Sequence, residues 1–470
     1  MKNNNREQYR RLINSLAILV ILVMESFIFY YVWDRYYSEG LWLEPFYGKG
    51  NVFIVLVYAG FMLLFMYIYG GHKLGYMKRT NLIYSQSLSG LCANAVMYLQ
   101  ILLLFRHFPD PIPLILMTVV DLLVIGVFSV CFDKMFNKIF PPKEILLIYD
   151  EYPIDALWGK IKARKDRFII KDQICVEEGM EKIYKKIDQY AVGGVLLGDV
   201  HASDRNQILK YCYARSIMVY VTPKVSDIIL RNAVTLHLFD TPLLLCKNGG
   251  LNIEQRIAKR CLDLLVSIIL LVIASPFMLI TAILVKCYDG GPVLFKQKRL
   301  TQDGKEFYVY KFRSMIVDAE KDGVARLATT GDSRITPVGK FIRATRLDEL
   351  PQLFNILSGD MSVVGPRPER PEIASEYEKT IPEFAFRLKV KAGLTGYAQI
   401  YGKYNTTAYD KLKLDLMYIE SYSFINDLKL ILTTFKIMFM KESTEGLENG
   451  QTTAVGGGVK NESKHESEID

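Results

Sequence analysis

Apolar residues crowd into four long runs in the first third of the chain, at 12–33, 52–69, 82–105 and 114–132. Each run is long enough to cross about 30 Å of hydrocarbon at about 1.5 Å per residue, so the pattern predicts four transmembrane helices. Trp33, Asp34, Arg35 and Tyr36 follow the first run in place of a small-residue cleavage site, so it reads as a retained helix. Between 143 and 245 the pattern changes. Short apolar runs at 144–150, 193–200 and 217–223 alternate with polar stretches of helical spacing at 177–190 and 203–215. That alternation predicts a small Rossmann-like α/β domain around a parallel sheet. A fifth uncharged run fills 264–285, and ordinary soluble patterning follows it. Amphipathic spacing returns at 409–421 and 427–440; in the second, Lys429, Lys436 and Lys441 suit a membrane surface, and core packing of the apolar face is the alternative. Residues 443–470 are polar and expected to be disordered.

Basic residues orient the first four runs. Lys2, Arg6, Arg10, Arg11, Lys73, Lys78, Arg79, Lys134, Lys138 and Lys143 fall on one side, against Arg35, Lys49 and Arg106 on the other. The positive-inside rule then places both ends of the bundle, and everything after residue 140, in the cytoplasm. Glu25 and Asp121 lie inside spans; buried acids there mark either a polar contact between helices or an ion pathway. Four helices without an inverted repeat make a poor transporter. Half of the 470 residues are hydrophobic, which excludes a disordered or collagen-like chain. The seven cysteines are scattered singly, with no zinc spacing, and read as reduced. The net charge of +8 suits anionic lipid heads or phosphate substrates better than nucleic acid.

The fifth run has cations at both ends, Arg256, Lys259 and Arg260 before it and Lys286, Lys296, Lys298 and Arg299 after it. A crossing segment normally has one poor flank. Ser275-Pro276 lies at its centre, and Pro276 lacks the backbone donor that a straight helix needs. The segment is either a kinked span or a re-entrant helix that returns to the side it left.

Chemistry-bearing residues gather after 291. The strand-like stretch 307–315 puts Lys311 and Arg313 two residues apart, a spacing that suits a diphosphate. In Arg343–Leu357, Pro351 fits a first helical turn, which predicts Asp348 at or near the N-cap and Glu349 in that turn. An acid there would stay ionised beside the positive end of the helix, and a phosphate could share the site. Arg367 stands between Pro366 and Pro368, in a loop that would pre-orient its guanidinium for a phosphate. Gly393-Leu394-Thr395-Gly396 marks a further tight turn. The turn after the first strand of the middle domain, Tyr149–Pro153, has none of the glycines that a dinucleotide needs, so a structural or regulatory role is expected there.

Taken together, RCLDLL…SP, FKQKRLTQDGKEFYVYKFRSM, RLDELPQLFNILSGDMSVVGPRPE and GLTGYAQIYGK, in this order between about 256 and 441, resemble the polyprenol-phosphate hexose-1-phosphate transferases, the bacterial sugar transferases. The whole chain is similar to the large form. Its expected parts are a four-span domain at 1–140, a Rossmann-like domain at 141–250, a mostly helical catalytic domain at 251–442 and a tail. The resemblance implies that Asp348 is the nucleophile on the β-phosphorus of a UDP-sugar. Glu349 matches the partner acid of a Mg²⁺ site, and Lys311, Arg313, Arg343 and Arg367 match basic positions that bind phosphate. Undecaprenyl phosphate would be the acceptor and UMP the leaving group. Ser275 and Pro276 match the break of a re-entrant helix at about 262–287. A bacterial inner-membrane enzyme that initiates exopolysaccharide or capsule synthesis is implied. Glucose or galactose is the expected sugar, with an N-acetylhexosamine as the alternative and a second copy of the chain as a candidate partner. The rival reading is a non-catalytic membrane protein that senses a nucleotide.

Overall fold

The computed structural model of the chain describes residues 2–41, 46, 48–105, 107–150, 158–159, 161, 164–190, 193–246, 250–317, 332, 334–402 and 406–438. The tail at 443–470 lies outside these residues, as do Lys441 and Arg106. The chain divides into two compact units, 1–224 and 225–470.

The first unit opens with four long helices: α1 (Lys2–Val32), α2 (Lys49–Tyr69), α3 (Arg79–Leu104) and α4 (Ile112–Ile139). On each, buried positions recur every three or four residues. Ile21, Glu25 and Phe29 face inward on α1, Ile54, Tyr58, Met62 and Met66 on α2, and Met117, Asp121 and Ile125 on α4. The outward positions are just as apolar, among them Val23, Phe27, Leu56, Leu64, Ile115 and Val119. A helix apolar on every side belongs in hydrocarbon. A parallel sheet of order β2-β1-β3-β4 follows, with β1 Lys143–Tyr149, β2 Phe168–Cys175, β3 Val195–Leu197 and β4 Val219–Val221. Ile183 and Ile187 of α5 (Met180–Tyr190) and Ile208 and Cys212 of α6 (Ala202–Ala214) bury against Leu146, Ile148 and Val195. Strand β2 is absent from the reading by hydrophobic runs. It lies at the sheet edge, where only Ile174 is buried and alternate residues meet solvent.

The second unit begins with α7 (Val225–Arg231) and a hairpin of β5 (Val234–Leu238) and β6 (Thr241–Leu245). Then comes α8 (Ile253–Asp289), the fifth of the described helices long and apolar enough to cross a membrane. These helices and the sheet make the protein a multi-pass membrane α/β protein. A capping box starts α8, with Asn252 N–H donating to Gln255 Oε1 at 3.0 Å. Both of its ends are tied to the same domain. Near the start, Lys259 Nζ donates to Asp427 Oδ2 at 2.7 Å and to Tyr418 OH at 2.9 Å. Arg260 donates to the Ile356 and Leu357 carbonyls at 2.6 and 2.8 Å, while Asp263 Oδ1 accepts from Ser362 Oγ and Val363 N–H at 2.9 Å each. At the far end, Asp289 pairs with Arg313, and Val285 packs on Phe312 and Ile342. Between these anchors Leu265, Ile269, Val272, Ile273, Ile280 and Ile283 are exposed.

Candidate active site

The site is assembled from three segments that follow α8. The first is an antiparallel hairpin of β7 (Leu294–Leu300) and β8 (Glu306–Phe312), which sets Lys311 opposite Phe295. The second leads from α9 (Pro337–Ala344) to α10 (Gln352–Ser358). Thr336 caps α9 by accepting from Gly339 N–H at 2.8 Å, and a Cβ on Gly339 would overlap the Ser314 carbonyl. Arg346 then takes a left-handed conformation, φ 59°, and opens a single 3₁₀ turn, Leu347–Glu349. The third is the loop 365–369 after β9 (Ser362–Val364).

The acids therefore stand in a turn of their own ahead of α10, where the pattern predicts the helix N-cap and first turn. Pro351 explains the difference. It has no N–H to bond back to Leu347, whose carbonyl instead accepts from Leu350 N–H at 3.3 Å. Asn355, fully buried on α10, stitches this segment to β8. Its amide donates to the Tyr308 carbonyl at 2.8 Å, and its Oδ1 accepts from Tyr310 N–H at 3.0 Å. That brace brings Lys311 to the acids.

Glu349 is the hub. Its Oε1 lies 3.3 Å from Lys311 Nζ and 3.1 Å from Arg367 Nη2, and its Oε2 lies 3.7 Å from Arg346 Nη1. Burial alone would raise the Glu349 carboxyl, but Lys311, Arg367 and Arg346 outweigh it and hold the group well below the usual carboxylate range. Asp348 goes the other way. Burial and the Glu349 charge push it up to about 6, against the pull of Lys311, Arg343 and Arg346. Burial lowers Lys311, while the charge of Glu349 raises Arg367. Two adjacent acids thus have unlike environments, one locked as an anion and one poised near neutrality.

The loop carrying Arg367 is gripped from both sides. Arg299 donates to the Pro368 carbonyl at 3.0 Å, and Arg387 to the Arg367 carbonyl at 2.9 Å. Arg387 is itself held by Asp415 at 2.7 Å. Burial lowers Arg299 to about 10. Gly365 and Gly393 touch backbone to backbone, so a side chain on either would overlap the other strand. That contact joins β9 to the parallel strand β10 (Gly393–Thr395).

Of the residues singled out in the sequence, the structure gathers Lys311, Asp348, Glu349 and Arg367. Arg343, in the last turn of α9, acts on Asp348 through its charge. Arg313 turns away from the acids and pairs with Asp289, with its Nε donating to the Pro292 carbonyl at 2.8 Å. Lys311 and Arg313 are thus not offered together, because Asp289 at the end of α8 takes the Arg313 guanidinium. Ser275 and Pro276 lie within a continuous α8, where Ser275 Oγ donates to the Val272 carbonyl at 2.9 Å. Sequence reasoning missed Arg346, Arg299 and Arg387. Arg346 and Arg299 lie in the quoted motifs. Arg387 has no local signal. Lys259 and Arg260, read as membrane flanks, are internal bonds.

Among the described residues no group of three or more His, Cys, Asp or Glu forms a metal cage. Two adjacent carboxylates suit Mg²⁺ only when a diphosphate supplies further oxygens.

Residues 254–441 match the family described as bacterial sugar transferase. The chain is 46% identical over 205 residues to a UDP-glucose:undecaprenyl-phosphate glucose-1-phosphate transferase of Klebsiella pneumoniae, covering 42% of each. It is 37% identical over 251 residues to a UDP-N-acetylgalactosamine-undecaprenyl-phosphate N-acetylgalactosaminephosphotransferase of Aeromonas hydrophila, covering 52% of this chain and 58% of that protein. A glucose-1-phosphate transferase of Caulobacter vibrioides is 38% identical over 201 residues, 41% of this chain and 75% of its own length. The match spans about half the length of the first two relatives. The aligned part holds the acid turn, the cationic hairpin and the Arg367 loop, and by it the chain belongs to the bacterial sugar transferase family.

Proposed function

We propose that the chain transfers a sugar 1-phosphate from a UDP-sugar to undecaprenyl phosphate at the cytoplasmic face of a bacterial inner membrane, releasing UMP. The observation that carries this reading is the split between Asp348 and Glu349. An ionised Glu349 holds Lys311 and Arg367 in place, and Asp348 beside it is free of ion pairs closer than 4.0 Å among the described residues. In the first step an Asp348 oxygen attacks the β-phosphorus, and the bond to the UMP oxygen breaks with its electron pair leaving on UMP. In the second, an oxygen of undecaprenyl phosphate attacks the same phosphorus, and the bond to Asp348 breaks to restore the carboxylate. Lys311, Arg343 and Arg367 would bind and orient the phosphates. Glu349, with Asp348 close by, would hold Mg²⁺, which when bound neutralises the diphosphate and eases departure of UMP.

The fifth apolar helix is proposed to be re-entrant. Lys259–Asp427 near its start and Asp289–Arg313 at its end bind one domain, which supports both ends lying on one side of the bilayer. Glucose or galactose is the proposed sugar, on the strength of the glucose-1-phosphate relative at 46% identity. An N-acetylhexosamine is the second reading, favoured by the Aeromonas relative. The assay is UMP release from a panel of UDP-sugars by purified protein with Mg²⁺ and undecaprenyl phosphate. UMP release with one sugar, lost in Asp348→Asn, is expected. Silence with every sugar overturns the activity, and turnover by Asp348→Asn within about tenfold of wild type overturns the covalent step.

A further inference from the structure

The Arg367 loop is held by its carbonyls. Those of Pro366, Arg367, Pro368 and Glu369 each accept one bond from outside the loop. The donors are Gly393 N–H at 2.8 Å, Arg387 Nη2 at 2.9 Å, Arg299 Nη1 at 3.0 Å and Leu300 N–H at 3.0 Å. Pro366 and Pro368 fix two φ angles besides. The Arg367 guanidinium, 3.1 Å from Glu349, is therefore aimed by its own backbone. Gly393, Arg299 and Leu300 stand on strands β10 and β7, whose places are set by pairing. Arg387 does not. It belongs to a 3₁₀ stretch, Pro382–Lys389, and reaches the loop with a long side chain that its surroundings must fix. Its guanidinium lies over the Phe384 ring at 4.8 Å, with Nη1 3.5 Å from Glu369 Oε1 and Nη2 2.7 Å from Asp415 Oδ2.

Asp415 is an acid on a face that otherwise buries aliphatic side chains. On the helix Ala408–Glu420, Leu412, Leu416 and Ile419 enter the core, and Asp415 shares their face at 1% exposure. It falls outside the four sequence motifs, which end before residue 408. A buried ion pair seldom stabilises a core more than apolar side chains of the same volume would. Apolar side chains could not, however, donate to the Arg367 carbonyl. We propose that Asp415 is a positioning residue of the active site: by fixing Arg387 it fixes the Arg367 peptide, and with it the guanidinium that meets the phosphates. Asp415 acts through two other residues, and its role rests on the reading of Arg367 as a phosphate ligand.

Calorimetric titration of the full chain in detergent with UDP and Mg²⁺ tests the proposal without any chemistry, in a double-mutant cycle of Asp415→Asn with Arg367→Met. Asp415→Asn should weaken UDP binding about 10-fold when Arg367 is present, and less than about twofold when it is Met, because the route through Arg367 is then gone. Equal losses in both backgrounds would make Asp415 a support of the fold at large and overturn the proposal, as would no loss in either. Should Asp415→Asn fail to fold, Asp415→Leu combined with Arg387→Met removes the pair without leaving a lone buried charge. That variant should show the same loss, again only with Arg367 present, and UDP binding equal to wild type would overturn the proposal. The expected coupling without UMP release from any UDP-sugar would leave Asp415 its role and remove the reaction. UMP release without the coupling would do the reverse. A wild type that binds no UDP would remove the phosphate role of Arg367, and the role of Asp415 with it.

Discussion

Asp348 and Glu349 are neighbours in sequence, yet the turn that carries them gives them opposite electrostatics. Glu349 meets Lys311, Arg367 and Arg346, while Asp348 has burial and the Glu349 charge to contend with. A carboxylate attacks phosphorus only when ionised, so first-turnover UMP release should rise with pH through about 6, where Asp348 loses its proton. Lys311 pulls that value down, so Lys311→Met should move the midpoint upward while slowing the reaction. A midpoint that stayed or fell would detach Lys311 from Asp348. Arg299 and Arg387 act one bond further out, through the carbonyls on and beside Arg367. Arg299→Met should lower kcat by about 100-fold if loop placement matters to within about 1 Å. An unchanged kcat with a raised KM would assign Arg299 to substrate binding instead. The acids, Lys311 and Arg367 were legible in the sequence because each stands in a run of residues with a chemical pattern. Arg346, Arg299 and Arg387 were not, because their role depends on which carbonyl or carboxylate the fold sets before them. Arg313 shows the converse: its spacing from Lys311 reads as a pair, but Asp289, brought up at the end of α8, takes its guanidinium.

At the scale of elements, one buried amide joins the hairpin to the acid turn. Replacing Asn355 with Leu would leave Tyr310 N–H and the Tyr308 carbonyl without partners. A loss of about 2–4 kcal/mol is expected, read by denaturant unfolding of the chain in detergent, together with a fall in turnover. A stable but inactive variant would make Asn355 a brace for the site alone. The long helices were plain in the sequence because hydrocarbon demands unbroken apolar runs. Strand β2 was not, since an edge strand buries only one position and alternates weakly. The cations flanking α8 look like topology signals, but Lys259 and Arg260 are bound inside the domain. Cysteines placed at residues 250 and 300, in a background without the native ones, should both be labelled from the cytoplasmic side only. Opposite-side labelling would make α8 a fifth span.

For the molecule as a whole, the chain divides into its two compact units after Lys224, in the short connection between β4 and α7. Helix α7 lies beyond that point, and Val225 and Ile228 bury in the core that holds Leu353, Leu412 and Leu416. A fragment starting at Val225 should therefore fold and release UMP in detergent. One starting at Asn252 should be less stable by about 3 kcal/mol, the worth of two buried aliphatic side chains. Equal stability of the two fragments would show that α7 adds nothing. An inactive but folded 225–470 fragment would place part of the site in the first unit. The position of Leu347 has one more consequence. This residue, directly before Asp348, packs against the cluster of Val285 of α8 with Phe312 and Ile342, and the neighbouring α8 positions Ile280 and Ile283 are exposed. Drawing a polyprenol out of the bilayer would cost about 0.8 kcal/mol for each CH₂ exposed, a sum that soon exceeds any binding energy on offer. If Asp348 is the nucleophile and α8 lies in the membrane, as proposed, that cost falls away. On that reading the proposed acceptor would keep its tail in oil, and the protein would work at a set depth, meeting the phosphate where it already floats.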